Sequence, residues 1–375
     1  MANCDPGARA AIERDIDAAR QTIADATVDT SARLSSWRAW EGYALMCRID
    51  PFFRNVDYPV QQETLLAFAS QVRAGSYGYG RQIGAQSVEK ALRHVAQTQV
   101  LAGYPDPRRR YGTKDLDLPF QHLLKSMRDE DPAPRPQVAL PVDTIAAAAA
   151  AALQPLASPT AQATGDLITA AFYFLLRVGE YTMPSANRRT RTVQFRCQDV
   201  RLWRNRQLIP HTAPLEELMM ADSVTLYLDN QKNGQRGATI HHTAVPGWFC
   251  PVKCLARRVA SIRTGGMPDS TPLSYVSPGT HVVADHILKA VRAAAMQTGL
   301  TQNAGYALDR IGAHSLRASG AMALKLNAYS ADDIMKIGRW TSTTFLTYIH
   351  SQIAALNHGI AINMSRRIAF HNVGG

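Results

Sequence analysis

The segment DEDPAPRPQVALP, residues 129–141, constrains the fold of this chain more than any other feature of the sequence. It contains four Pro among thirteen residues and few large apolar side chains. Proline fixes its own backbone angle and lacks an N–H donor, so a helix or an inner strand does not run through such a segment. We therefore expect an extended linker at 132–142, with one domain at 1–131 and a second at 143–375.

Before this segment, apolar residues recur at spacings of three and four, which is the period of a helix. Five stretches follow the pattern, at residues 8–28, 30–47, 60–75, 87–103 and 118–129. In the second stretch Trp37, Tyr43 and Leu45 are the predicted core residues, and Gly75 is predicted to end the third helix. The first domain is thus expected to be a helical bundle.

After this segment, the spacing of apolar residues changes from the helical period to a period of two and later returns to the helical period. Residues 192–203 read as strands, and 223–245 alternate β-formers around Asn233 and Gly234, the strongest short signal of a hairpin. Helices are predicted at 143–154, 160–177, 251–264, 281–298, 315–327, 331–338, 342–349 and 351–365. The predicted fold class is mainly α, with an α-rich second domain that contains a small antiparallel sheet.

The net charge of +11 belongs to the second part of the chain. Residues 1–131 hold 17 basic and 17 acidic side chains, whereas residues 132–375 hold 24 basic and 13 acidic ones. Of the 41 basic residues 33 are Arg, whose planar guanidinium matches the geometry of phosphate. This balance favours a polyanionic partner, with nucleic acid the leading candidate and a solvated basic surface the alternative.

Membrane and secretory classes are not indicated. No apolar run reaches the roughly 18 to 20 residues that a membrane span needs, and the charged N-terminus lacks the apolar core of a signal peptide. We expect a cytosolic or nuclear protein.

The five Cys lie at irregular spacing, which argues against a disulfide framework. Cys250 and Cys254, with His241 and His242 upstream, admit a zinc site. The alternative is a helix that begins at Pro251 and buries both Cys on its inner face. We favour the helix, because the spacing of common structural zinc sites is absent.

Arg177 and Glu180 stand at the end of an apolar stretch, AFYFLLRVGEYT, residues 171–182. An unpaired buried charge is costly, so Arg177 needs an anionic partner. One interpretation is a salt bridge to an internal carboxylate. The other is a cleft in which Arg177 binds a phosphate and Glu180 orients its guanidinium.

The order of several motifs resembles the tyrosine recombinase (phage integrase/Cre-like) family. Arg-Val-Gly-Glu at 177–180 is followed by a hairpin Lys, His-Ser-Leu-Arg at 314–317, Gly-Arg-Trp at 338–340 and Tyr348. FLLRVGEYT and IGRWTSTTFLTYIH look closest to recombinases of eukaryotic mobile elements of the Crypton and DIRS type. The resemblance covers most of the chain, although the bundle is similar only in pattern. It implies a SAM-like helical core-binding domain before a catalytic domain of the tyrosine recombinase fold.

Cleavage of a DNA phosphodiester without a metal needs a nucleophile, an acid for the leaving oxygen, and cations for the charge on the phosphoryl oxygens. The resemblance makes Tyr348 the nucleophile. Arg177 and Arg317 would clamp the two non-bridging oxygens. His314, one helical turn before Arg317, would assist proton transfer, and Trp340 would donate its indole N–H to the phosphate.

The proton for the leaving 5′ oxygen is assigned to Lys232, beside the predicted hairpin turn, with Arg236 as a fallback DNA contact. The alternative for Lys232 is an ordinary solvated turn residue. The sequence departs from many relatives in one spacing, since Trp340 precedes Tyr348 by eight residues where nine is common. Residues 204–222 are longer than a minimal catalytic domain requires, so they form a contacting insertion or a surface loop.

The resemblance also implies the partners. The expected partner is double-stranded DNA, and neither a cofactor nor a metal is expected. The protein would form a homotetramer on the DNA synapse and would be a monomer or a weak dimer when free. The helix at 351–365 would dock on a neighbouring subunit or pack on its own domain. Location would be the nucleus for a eukaryotic mobile element, and otherwise the cytoplasm or nucleoid. Two alternatives remain, a recombinase-derived DNA-binding protein that no longer cuts and a type IB topoisomerase-like relaxing enzyme.

Overall fold

The structure is a computed structural model, and its described residues form two compact units that divide between residues 134 and 135. The division falls inside the predicted linker, 132–142. No helix in the described part of the chain is both long enough and apolar enough to span a bilayer. The structure describes residues 12–18, 30–78, 80–110, 113–133, 138–154, 156–184, 192–228, 237–303, 305–312 and 314–346.

The first unit is a helical bundle, as the hydrophobic period predicts. Residues 12–18 are helical, and the helices that follow are α1 Thr30–Met46, α2 Tyr58–Ala74, α3 Ala85–Leu101 and α4 Leu118–Glu130. Trp40 and Phe68 lie wholly inside its core with ring centroids 5.3 Å apart. Trp37 and Tyr43 are buried as predicted, but Leu45 is 62% exposed. At 3.6 residues per turn Leu45 points about 140° away from Trp40, toward solvent.

The end of α2 confirms the prediction made for Gly75. This residue adopts the left-handed conformation with φ 86°, and its N–H bonds to the carbonyls of Gln71 and Val72. A Cβ at this position would overlap the backbone of Arg81, so glycine is required both by φ and by space.

The predicted extended linker is partly packed. Before the division, the Asp131 carboxylate pairs with Arg73. After it, residues 138–140 are buried in the second unit, and the Leu140 N–H donates to Ser319 Oγ at 2.7 Å. Residues 138–140 form neither helix nor strand but are buried, because three consecutive apolar side chains gain free energy when they leave water.

The second unit is α-rich with a small antiparallel sheet, which confirms the predicted fold class. Its helices are α5 Val142–Ala149, α6 Pro159–Tyr173, α7 Val178–Tyr181, α8 Leu215–Met219, α9 Pro251–Thr264, α10 Ala284–Gln297, α11 Leu300–Asn303, α12 Ser315–Leu326 and α13 Ala331–Gly338. Short 3₁₀ turns occur at Ala150–Leu153, Cys197–Asp199, Leu308–Arg310 and Thr343–Phe345. The strands are β1 Val200–Arg204, β2 Gln207–Ile209, β3 Ser223–Leu228, β4 Ala238–Thr243, β5 Tyr275–Ser277 and β6 Thr280–His281.

The main sheet has the strand order β2-β1-β3-β4, and all its pairs are antiparallel. In β3 every second side chain is buried, namely Val224, Leu226 and Leu228. This alternation places one face on the core and confirms the predicted hairpin of β3 and β4. Its turn, including Asn233 and Gly234, lies outside the described residues.

Residues 204–222, predicted as an insertion or a surface loop, belong to the folded unit. β2 pairs with β1 through Leu202 and Ile209, and α8 packs against α9. Leu218 of α8 has no exposed surface. The sequence pattern missed both elements because each is too short to display a period.

Gly320 allows α12 to approach the end of α6. A Cβ at Gly320 would lie 2.5 Å from the Phe172 carbonyl oxygen, in contact with backbone that cannot rotate away. We predict that Gly320→Ala lowers the free energy of unfolding by about 1 to 3 kcal/mol. Urea denaturation measures the change.

The control is Gly42→Ala, at an exposed position of α1 where a Cβ meets nothing within 4 Å. There the substitution should be neutral or stabilise by up to about 1 kcal/mol, because alanine is the better helix former. A Gly320→Ala protein as stable as the parent would contradict the close helix contact.

Candidate active site

The turn that carries the Arg-Val-Gly-Glu motif differs from the predicted helix end. Helix α6 stops at Tyr173 instead of 177, and Leu175 adopts a left-handed conformation with φ 48°. Such a conformation costs a non-glycine residue roughly 1 to 3 kcal/mol, so surrounding contacts have to hold it. Those contacts are guanidinium groups, since the Leu175 carbonyl accepts hydrogen bonds from Arg317 and, at 3.0 Å, from Arg339.

Glu180 is the anionic partner that Arg177 requires. Its Oε2 accepts the backbone N–H of Arg177 at 2.8 Å, and its Oε1 accepts the Arg177 side chain at 3.1 Å. The first bond satisfies an N–H that the start of α7 leaves without an intrahelical acceptor. The side chain of Glu180 is 2% exposed and that of Arg177 is 18% exposed. The internal carboxylate and the orienting Glu180 of the two sequence interpretations are therefore the same residue.

Arg339 is the residue that sequence reasoning missed. It stands just after α13 in the left-handed conformation, and its two terminal nitrogens bond the two oxygens of Glu180 at 3.1 Å each. Burial lowers the pKa of Arg339, and the facing Glu180 carboxylate opposes that shift. The available signal was its place in Gly-Arg-Trp, nine residues before Tyr348.

Arg317 is buried on α12, and its environment fixes the plane of its guanidinium. One terminal nitrogen donates to the Leu175 carbonyl and the other to the Gly338 carbonyl. The Trp340 ring lies against the same group, with 4.0 Å from Cζ to the ring centroid, which is a cation–π contact. Arg317 has five N–H donors, so these two bonds do not exhaust its capacity.

The glycine of Gly-Arg-Trp is explained by the packing of Trp340. A Cβ on Gly338 would overlap the six-membered ring of that Trp. The ring also packs on the wholly buried Phe345, with centroids 5.6 Å apart. Gly338 therefore leaves room for the ring that stacks on Arg317.

We name Arg177, Glu180, Arg317, Arg339 and Trp340 the arginine cluster. The structure brings together these five side chains from α7, α12, α13 and the segments beside them. Three guanidinium groups and one carboxylate sum to a charge of +2. A positive excess of this kind, held by buried side chains, favours an anionic group beside it.

His314 starts α12, one helical turn before Arg317, and its side chain is exposed. The structure thus places it on the helix that carries Arg317 but at the solvent-facing end. An imidazole that is open to solvent can give and take a proton, which suits proton transfer.

Lys232 and Tyr348, the predicted acid and nucleophile, lie outside the described residues, as do Arg236 and the predicted helix 351–365. The roles assigned to them stay predictions. In the sequence, Lys232 and Arg236 lie between β3 and β4, and Tyr348 follows the turn Thr343–Phe345.

Tyr181, which neighbours the motif, is unsuited to nucleophilic attack. It has no exposed surface, and its hydroxyl has no hydrogen-bond partner among the described residues. Burial, followed by the Glu180 carboxylate, raises its pKa well above the ordinary value. A phenol in this position neither reaches a substrate nor loses its proton.

The zinc alternative at Cys250 and Cys254 does not fit the geometry. Helix α9 begins at Pro251 as predicted, and both thiols are buried on its inner side. The Cys250 sulfur accepts the Val245 N–H at 3.4 Å, while the Cys254 thiol donates to the Pro251 carbonyl at 3.2 Å. These contacts are those of buried thiols in a packed core.

No family model matches the sequence, and no curated protein matches it. The structure is similar to a number of solved structures, including the three that follow. XerA recombinase is 14% identical, with a TM-score of 0.37 over 89% of this chain and 99% of that chain. XerH site-specific recombinase, bound to its palindromic difH substrate in a post-cleavage complex, is 13% identical, with a TM-score of 0.48 over 83% of this chain and 73% of that chain. The Tn1549 transposon integrase, in complex with transposon right end DNA, is 13% identical, with a TM-score of 0.41 over 80% of this chain and 85% of that chain. Likenesses at these values assign no family to this chain.

The buried pair of Arg339 and Glu180 generates a stability prediction. Arg339→Ala leaves a carboxylate that is 2% exposed with one guanidinium partner fewer, and should lower the free energy of unfolding by about 3 to 5 kcal/mol. The control is Arg54→Ala, whose side chain is 60% exposed beside a partly exposed Asp50, and it should cost at most about 1 kcal/mol. Urea denaturation of both variants measures the loss of unfolding free energy. Small and similar losses in the two variants would contradict a structural role for Arg339.

Proposed function

We propose that this protein is a tyrosine-type DNA recombinase, which cuts and rejoins double-stranded DNA through a 3′-phosphotyrosyl intermediate. The observation that carries the proposal is the arginine cluster. Arg177 and Arg317 are far apart in the sequence, yet one bonds to Glu180 and the other to Leu175 of the same turn. The concentration of positive charge in residues 132–375 supports DNA as the partner.

In the proposed reaction the two arginines bind the non-bridging oxygens of the scissile phosphate. Their charge is worth most in the transition state, where negative charge builds on those oxygens. The bonds to carbonyls and to Glu180 hold the guanidiniums in place beforehand, so little reorganisation is needed. Trp340 supports Arg317 from one face, and His314 assists removal of the proton from the nucleophile.

The covalent step exchanges one phosphate ester for another. The Tyr348 oxygen attacks the phosphorus, the bond from phosphorus to the 5′ oxygen breaks, and Lys232 gives that oxygen its proton. The tyrosine proton passes to His314 or to solvent. Rejoining is the reverse reaction with the 5′ hydroxyl of a partner strand. The ester energy is kept in the phosphotyrosine, so the step itself requires neither ATP nor a metal.

The proposal extends to assembly and context. Strand exchange between two duplexes would take place in a homotetramer on DNA, formed from monomers or weak dimers. The resemblance of the motifs to the Crypton and DIRS type suggests a mobile-element enzyme, which would work in the nucleus of a eukaryotic host. The mobile-element context is tested by incubation with DNA of the flanking element ends, followed by mapping of any covalent adduct.

One observation favours a second function, a recombinase-derived DNA-binding protein that does not cut. Arg317 is 3% exposed, and both its terminal nitrogens donate to backbone carbonyls. A guanidinium whose terminal nitrogens both stay bonded to carbonyls has fewer N–H groups left for a two-point clamp on a phosphate. DNA binding without any covalent adduct would establish this reading, whereas relaxation of supercoils by a monomer without recombinants would identify a type IB topoisomerase-like enzyme.

The nucleophile is tested by Tyr348→Phe. This variant should bind DNA as the parent does and form no covalent adduct, because only the attacking hydroxyl is lost. Tyr329→Phe, at a tyrosine that is 48% exposed, is the control and should keep adduct formation. The measurement is denaturing electrophoresis of labelled DNA after incubation. An adduct formed by Tyr348→Phe would move the nucleophile to another residue.

The acid is tested with a leaving group that needs no proton. Lys232→Ala should fail on ordinary DNA but cleave a substrate with a 5′-bridging sulfur at a rate close to that of the parent. Arg177→Ala should lose several orders of magnitude on both substrates, since it stabilises charge and donates no proton. Rates from single-turnover cleavage give the comparison. If sulfur rescues neither variant, Lys232 contacts DNA and another group supplies the proton.

A further inference from the structure

A second group of chemistry-bearing side chains lies on other elements of the same unit. Cys197 precedes β1, His211 follows β2, and Asp269 lies in the loop between α9 and β5. One potential ligand atom from each residue falls within 4.8 Å of the other two. We propose that these three residues bind a zinc ion, which fastens the β1–β2 hairpin to the loop after α9.

The distances fit tetrahedral coordination. The Cys197 sulfur lies 3.7 Å from His211 Nδ1, and the same nitrogen lies 3.3 Å from Asp269 Oδ1. Zinc–sulfur bonds of ~2.3 Å and zinc–nitrogen or zinc–oxygen bonds of ~2.0 to 2.2 Å, at tetrahedral angles, separate the ligand atoms by ~3.6 Å and ~3.4 Å. The sulfur-to-nitrogen and nitrogen-to-oxygen separations therefore match tetrahedral zinc, and all three atoms lie within 4.8 Å of one another.

The hydrogen bond at the other nitrogen of the His211 imidazole also supports a metal site. His211 Nε2 lies 2.8 Å from the Val200 carbonyl, to which it donates its proton. A neutral imidazole then carries its lone pair on Nδ1, aimed at the thiol and the carboxylate. Metal-binding histidines use their second nitrogen in this way. His211 Nδ1 and the Asp269 oxygen face each other at 3.3 Å, and an ion between them would bond to both.

Backbone bonds hold the ligands in place without the ion. The Cys197 N–H donates to the Thr271 carbonyl at 2.9 Å, and the Gln198 N–H donates to the Asp269 carbonyl at 2.8 Å. Arg263 Nη1 lies 3.5 Å from Asp269 Oδ1, the same oxygen that faces His211, and an ion at this oxygen would share it with the guanidinium. Such preorganisation lowers the cost of ordering the site when the ion binds.

The identity of the three donors selects the metal. A thiolate, an imidazole and a carboxylate suit zinc better than magnesium or calcium, which prefer oxygen alone. Three protein ligands leave the fourth position to water. The Asp269 side chain is 49% exposed and provides the entry path. Binding releases the thiol proton to solvent, so the thiolate and the carboxylate balance the double charge of the ion.

Cobalt tests the site, because Co²⁺ replaces zinc and shows thiolate charge-transfer absorption. The experiment uses the full chain with Cys4 and Cys47 replaced by Ser, which removes two other thiols. We expect one Co²⁺ per chain with a charge-transfer band that zinc displaces. Cys197→Ser should lose the band, and Cys254→Ser, which removes another buried thiol, should keep it. Failure to bind one ion per chain, or an unchanged band in Cys197→Ser, would overturn the proposal.

A surface variant keeps the test valid if a change at buried Cys197 disturbs folding. Asp269→Asn should weaken zinc affinity by at least about tenfold, as measured by competition with a chromophoric chelator. Asp285→Asn, at an exposed carboxylate on α10, is the matched control and should leave the affinity unchanged. The alternative is a protonated His211 that pairs with Asp269 and binds no metal. Equal zinc affinities in the two variants would support that alternative and overturn the zinc proposal.

Discussion

The second unit depends on the Glu180 carboxylate. A carboxylate that is 2% exposed is stable only when cations and N–H groups surround it. Its two oxygens take the backbone N–H and side chain of Arg177 and the fork of Arg339. Because Glu180 lies in α7 and Arg339 follows α13, the carboxylate joins two ends of the unit that are far apart in sequence. The same contact keeps Arg339 beside Leu175, whose carbonyl is shared with Arg317. The arginine cluster is therefore one connected network, in which removal of any cation changes the orientation of the others.

The sequence predicted the long elements well, because each buries a face with a regular period. Helix α9 begins and ends where the pattern places it, and α12 and α13 agree within a residue. The end of α6 was not predictable from pattern. Residues 174–176 are all apolar and would continue the helix, but the chain turns at Leu175 because its carbonyl bonds to two distant arginines. Tertiary contacts of this kind override local propensity, and no window of neighbouring residues contains them.

Some residues of the candidate site could be predicted from the sequence, and others could not. Arg177, Arg317 and Trp340 were identified as a set because their motifs occur in a familiar order, and the structure brings these three together with Glu180. Arg339 was overlooked since an arginine inside a motif has no periodic signal of burial. The group of Cys197, His211 and Asp269 was also invisible in the sequence, because its spacing matches no metal motif. Only the pairing of β1 with β2, and the bonds from Cys197 and Gln198 to the α9–β5 loop, bring the three residues together.

The two residues after Gly338 have different partners in this geometry. The residue at the common spacing of nine is Arg339, and the structure aims it at Glu180, inside the protein. Its left-handed backbone reverses the chain direction, so that the next residue, Trp340, turns back over Gly338 and stacks on Arg317. An indole held there restricts the guanidinium to one plane, while the carbonyls of Leu175 and Gly338 restrict its rotation within that plane. Under the proposed function, a cation restrained in this way would need little reorganisation as charge develops on the phosphate. Arg339 thus holds the carboxylate, and Trp340 holds the arginine.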